Sequence, residues 1–360
     1  MNTPSIVGPK ICRITFFSAA LISLAAPIYA HERWVKHELK SEFDRDLFTS
    51  MGWLNVGTAI AVVALFVFLL HLSARVRASR PESSVSEKLS SLAPTILRAT
   101  YGVGLLLMAW DNQFLAPDLV ATDGAGWVLV RAQGVVGVML ALGLLTRMAS
   151  WVSLALFAWA IVGRPFAPFD GQAVTMMQVL NYLDVAGIAV YLGIVGGGAL
   201  SIDGWLLDKT DAAPSRAMRA RAVGLMRIAL GLTLVLLGLQ KFVLPELPMG
   251  VVQNYADQIY WPIANITGVS PEQYVFAACV VETAVGLLVI AGVFIRPIMV
   301  VLVALFLTTV YIFQEDLLPH LPLFGMVAAF LIEGSGDLRM DSLIPSKQGS
   351  ASQFPRGEIA

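Results

Sequence analysis

The feature that most constrains this chain is a succession of apolar runs, at about 53–72, 96–115, 127–146, 149–164, 176–197, 222–244, 274–295, 297–314 and 319–334. Most approach the roughly 20 residues that a helix needs to cross a bilayer. Lipid offers no partner to a backbone amide, so helices are the form these runs can take. Composition agrees: 57% of residues are apolar, 14% are charged and the mean hydropathy is +0.74, whereas soluble domains carry about a quarter charged residues. The expected fold class is therefore all-α, a polytopic membrane protein. A net charge of -1 gives no basic excess for a nucleic-acid partner, and there is no P-loop, zinc ribbon or Rossmann glycine fingerprint. The short runs 149–164 and 319–334 adjoin Pro165, Pro319 and Pro322, which predicts tilt or re-entry there.

The amino terminus carries Lys10 and Arg13, an apolar stretch from Ile14 to Ile28 and then Ala30. This pattern predicts a signal peptide over 1–30 with cleavage after Ala30; an uncleaved anchor is the competing reading. Residues 31–50 balance four basic against five acidic side chains. They read as a periplasmic amphipathic segment with Trp34, Val35, Leu39, Phe43, Leu47 and Phe48 on its apolar face. A free amino-terminal His31 with His37 invites a copper hypothesis. His71 and His320 fall at opposite membrane boundaries, however, so no metal site is assigned. Cys12 and Cys279 do not make a disulfide framework.

Basic residues in alternate connections set the orientation. Arg75, Arg77, Arg80 and Lys88 lie in 74–94, and Lys209, Arg216, Arg219 and Arg221 in 198–221. The opposite segments 116–126, 245–273 and 315–318 contain no Lys or Arg. The expectation is a bacterial inner-membrane protein with a periplasmic mature amino terminus and a cytoplasmic carboxyl terminus. Its segments would be a span at 51–73, a cytoplasmic linker at 74–94, four-helix units at 95–205 and 221–343, a linker at 206–220 between them, and a cytoplasmic tail at 344–360.

The two units are read as a tandem duplication. Gln133 to Arg147 aligns without gaps on Glu282 to Arg296, superposing Gly137 on Gly286, Gly143 on Gly292 and Arg147 on Arg296. Arg98 to Asn112 aligns on Arg227 to Lys241, and GGGALSID on GSGDLRMD, which places Asp203 on Asp341. Four helices per unit give the copies parallel topology. Fourteen residues make nearly four turns, so Arg227 and Lys241 share a face about 21 Å apart. The glycines at 137, 143, 224, 231 and 238 would let helices approach closely.

RIALGLTLVLLGLQKF, ETAVGLLVIAGVFIR and EGSGDLRMD resemble the DoxX family of small four-helix bacterial membrane proteins. The resemblance is fuller in the second unit, because the first has Asn112 in place of Lys241 and Gln133 in place of Glu282. The family includes the DoxD subunit of thiosulfate:quinone oxidoreductase. The resemblance thus implies a quinone-linked, redox-associated membrane subunit in sulfur or thiol metabolism, working with a soluble or membrane partner that bears the cofactor. No motif binds flavin, haem or an iron-sulfur cluster, so a quinone is the one cofactor entertained.

Ionisable groups inside spans are the default functional candidates. Asp111, Arg131, Asp184, Lys241 and Glu282 stand out. All but Asp184 are expected in the outer half, near one face, with Lys241 and Glu282 as the catalytic centre and the competing role of a helix-joining ion pair. Tyr255 and Trp261 in the outer segment, with Asp111, Arg131 and Asp184, would line a quinone or substrate pocket. Arg98, Arg147, Arg227 and Arg296 are read as structural anchors at cytoplasmic helix ends, satisfied by headgroups. Asp203 and Asp341 are expected to cap helices or pair with them. The rival functions are a small-solute or ion transporter, with Asp111, Asp184 and Glu282 along a path, and a non-catalytic scaffold.

Overall fold

The computed structural model describes residues 52–79, 87–115, 120–121, 124–162, 169–170, 180, 182–206, 214–243, 246–313 and 320–340. The signal peptide, the 31–50 segment with His31 and His37, Asp341 and the 344–360 tail lie outside the described residues.

The expected apolar runs are helical. In order they are α1 (Gly52–Ser79), α2 (Glu87–Trp110), α3 (Gly124–Leu142), α4 (Thr146–Val162) and α5 (Leu183–Val195). Next come short α6 (Ile202–Leu206), α7 (Arg216–Val243), α8 (Glu246–Asn254), a π-helical turn (Ala256–Tyr260) and α9 (Trp261–Thr267). The remaining helices are α10 (Pro271–Ala291), α11 (Ile295–Phe313) and α12 (Leu321–Glu333). By length and composition, Leu89–Trp110, Gly124–Leu142, Arg216–Val243 and Pro271–Ala291 can cross a membrane, and five further apolar helices are shorter. The protein is thus a helical membrane protein whose apolar helices meet the lipid bilayer. Its paired strands among the described residues are a two-residue antiparallel ladder, Val120–Ala121 (β1) with Phe169–Asp170 (β2), between two connections, with a bridge from Gln113 to Val120 beside it.

Boundaries differ from the hydropathy runs where the ends are polar. α2 begins at Glu87 and α7 at Arg216, so the residues read as cytoplasmic linkers extend the helices beyond their apolar stretch. The segment 245–273, whose aromatic residues fit an interfacial helix or a lid, is mostly helical. α10 starts where Ser270 and Gln273 form a reciprocal capping box with Pro271 at the first helical position, and it stops at Gly292, whose φ is +77°.

Two sets of four helices recur, α2, α3, α4, α5 and α7, α10, α11, α12. Within each set the first two helices cross at a pair of glycines. A Cβ on Gly102 would stand 2.6 Å from the Gly137 carbonyl, and one on Gly231 would stand 2.7 Å from the Gly286 carbonyl. Only hydrogen fits at such a crossing. The fourth helices pack on the third helix of their own set and also reach across to the other set: α5 lies along α7, and α12 along α2. Gly187 meets Ala229 and Met226 at one of these contacts, and Gly325 meets Thr100 and Leu97 at the other. α1 packs on α10.

Candidate functional site

Lys241 sits in the last turn of α7 and Glu282 midway along α10, and the helix crossing brings them together. The Lys241 ammonium donates to Glu282 Oε2, and both side chains are buried, 5% and 3% exposed. Two opposite charges in direct contact offset each other's desolvation, which is how such groups survive inside apolar surroundings.

Above the pair lies a small second core. Met249, Val252, Ile259 and Tyr260 from α8 and the π-helical turn pack on Tyr274, Val275 and Cys279 of α10. Cys279 is one turn before Glu282, so this helical cap covers the end of the crossing where the pair sits. Tyr260 donates to the Val269 carbonyl at 2.7 Å and meets Tyr274 edge-on, centroids 6.0 Å apart. Tyr255 is half-buried at the rim of this core, whereas Trp261 lies outside it, 47% exposed, against the Tyr260 ring. Of the expected aromatic walls, therefore, Tyr255 is at the cap and Trp261 faces outward. Tyr260, which the sequence places with Tyr255 and Trp261 in the outer aromatic segment, and Tyr274 are the buried rings.

The corresponding residues of the first set do something else. Gln133, at the position of Glu282, is fully buried. Its Oε1 accepts from the Leu115 amide at 2.6 Å, and its Nε2 donates to the carbonyls of Leu105 and Gln113, each at 3.1 Å. Asn112, at the position of Lys241, lies in the turn after α2 at a φ of +59°. The neutral amide ties down the exit of α2, with no ion pair at that place.

Asp111 and Arg131 do not join the site. α2 ends at Trp110, which leaves Asp111 exposed in the following turn and not within a span. Arg131 is exposed on α3, its guanidinium 5.7 Å from the Trp127 ring centre. Among the described residues no ion pair joins them. Asp184 is buried, but on the first turn of α5 where that helix meets α7; its amide donates to Thr233 Oγ1 at 3.0 Å. It belongs to the contact between the sets.

Of the four arginines read as anchors, Arg98 and Arg227 are deeply buried and bind backbone carbonyls, not headgroups. Arg98 donates to the carbonyls of Gly197 at 2.8 Å, Leu140 at 3.1 Å, Ala141 at 2.6 Å and Leu200. Arg227 donates to those of Ser335 at 2.9 Å, Val289 at 2.7 Å, Ile290, Asp337 at 3.0 Å and Leu338 at 2.8 Å. Each guanidinium gathers carbonyls from the last turn of the second helix, where intrahelical donors run out; those of Leu140 and Val289 also accept from the amides of Gly143 and Gly292, each at 3.0 Å. Arg296 donates to the Leu331 and Ile332 carbonyls, and Arg147 lies beside Gly196 as Arg296 does beside Gly334. Asp203 accepts from the amides of Leu145 and Thr146 at 2.6 and 2.7 Å, capping α4.

The sequence reading missed a second ion pair, Arg219 with Glu333, which the hydroxyl of Tyr191 joins. Its signal was a carboxylate closing an apolar helix, in EGSGD, facing across the molecule to a residue 114 positions away.

Residues 222–315 match the DoxX family model, a stretch that contains both Lys241 and Glu282. No curated protein and no solved structure matches the chain. The protein is a membrane protein, and its stretch 222–315 is similar to a DoxX domain.

Proposed function

We propose that this chain is a redox-associated subunit of the bacterial inner membrane, in which Lys241 and Glu282 engage a quinone headgroup beneath the α8–α9 cap while a partner supplies electrons. One observation carries the reading: a buried ion pair sits at the capped end of the DoxX-like set, and the equivalent place in the other set is filled by a backbone-bound amide. A quinone carbonyl needs a hydrogen-bond donor and its reduction needs protons; an ammonium paired with a carboxylate can supply both. The proposal includes the tandem origin of the two sets, which the matching arginine cages and glycine crossings support. It also includes the orientation given by the loop charges, with the cap periplasmic. Electron donor and quinone are described by chemical class only.

The test uses Glu282→Gln, Lys241→Met and the double variant in full-length protein, with expression, detergent melting, binding of a short-chain ubiquinone and partner-dependent quinone reduction as readouts. The functional reading expects the double variant to fold and insert yet bind and reduce no quinone. A folded, fully active double variant makes the pair architecture alone.

The burial of Asp184 between the sets favours a second reading, a small-solute or ion transporter. Proteoliposome flux that Asp184→Asn abolishes, with quinone binding absent from the unaltered protein, would replace the first reading by the second.

A further inference from the structure

The contact between the two sets carries a polar cluster that the Lys241–Glu282 pair does not use. Arg219, in the first turn of α7, donates from Nε to Glu333 Oε1 at 2.9 Å and from Nη2 to the same carboxylate and to the Ser90 carbonyl. Tyr191 of α5 donates its hydroxyl to Glu333 at 3.1 Å. One guanidinium on α7 thereby reaches α2 and α12, and the carboxylate it holds reaches α5.

The Ser90 carbonyl is available for a physical reason. In an α-helix it would accept from the amide four residues on, but that residue is Pro94, which has no N–H. Arg219 fills the place of the missing donor. Ser90 and Arg219 each lie eight residues before a caged arginine, Arg98 or Arg227, so corresponding places on the two first helices meet here. Counting from Gly196 and Gly334, the counterparts of Glu333 and Tyr191 are Val195 and Ala329, both apolar. The cluster is one-sided.

The rest of the seam is built differently. Its middle is closed by the glycine contacts at Gly187 and Gly325, and its far end by Asp184 and Thr233, each 1% exposed. At the near end the Arg219 side chain is 21% exposed and that of Glu333 9%. Water and ions can reach a pair so placed, and it opens at lower cost than close-packed backbone.

We propose that Arg219, Glu333 and Tyr191 form a releasable latch across the seam, the point at which the two helix sets part first while the Asp184 end stays closed. The test uses full-length protein in detergent with Cys12 and Cys279 replaced by alanine and one reporter thiol at a time. Ala329→Cys reports the latch end, because Ala329 is fully buried one turn beyond Gly325. Thr233→Cys reports the far end. Glu333→Gln and Arg219→Ala are each expected to raise the rate of maleimide labelling at 329 about tenfold or more and to leave 233 unchanged. If those variants fold poorly, raising NaCl from about 0.1 to about 1 M with the cluster intact should speed labelling at 329 alone, because it screens the pair. Unchanged labelling at 329 in both variants and in high salt overturns the latch. An equal rise at both reporters overturns it too, since the cluster would then be a staple for the whole fold.

Discussion

The two helix sets are alike at their arginine ends and different at their capped or turn-bearing ends. Arg98 and Arg227 gather carbonyls from corresponding places, Leu140 and Ala141 in one set and Val289 and Ile290 in the other. The paired glycine crossings are likewise the same. At the opposite end Gln133 binds three backbone groups, while Glu282 binds the Lys241 ammonium. A helix crossing and its caged arginine are needed wherever the fold is needed. A buried charge pair is costly to maintain and replaceable by a neutral amide, so its presence in one set alone separates architecture from candidate chemistry.

The largest expected effect tests the likeness. Gly137→Val and Gly286→Val each drive a side chain into a facing backbone carbonyl, and each should cost about 4 kcal/mol or more. Both should fail to give folded protein in detergent melting, and a large difference between the two would mean that the crossings are not equivalent.

The next effect tests the difference. Lys241→Met leaves an orphan carboxylate in an apolar site and should cost about 3 kcal/mol, most of it recovered when Glu282→Gln is added. In the first set Gln133→Leu strands the Leu115 amide and two carbonyls, a loss of about 2 kcal/mol with no effect on quinone binding. Melting temperatures of the two series, measured beside ubiquinone binding, check both. Loss of binding in Gln133→Leu at full occupancy of the folded state would remove the distinction between the sets.

The smallest effect returns to a shared position. Asp203→Asn weakens the cap on α4 and should cost about 1 kcal/mol, seen as a modest drop in melting temperature with the candidate site unaffected.

Hydropathy located the principal helices because membrane-embedded helices are written as apolar runs whatever surrounds them, and the repeated Gly, Arg and Asp spacings marked the two sets. Helix ends were less accessible: Arg216 and Glu87 are helical although polar, because a helix carries on past the apolar stretch until a cap or a break stops it.

The sequence alone determined that Lys241 and Glu282 stand at similar depth on neighbouring helices, since spacing along two antiparallel spans dictates height. It also ruled out a soluble fold. Only the tertiary structure decided which charges meet. Rotation about a helix axis and the choice of neighbouring helix are set by packing, not by spacing. For that reason Asp111 and Arg131, predicted at one face, stay apart, and Arg219 and Glu333, never paired on paper, join where α12 lies against α2 and α5 against α7.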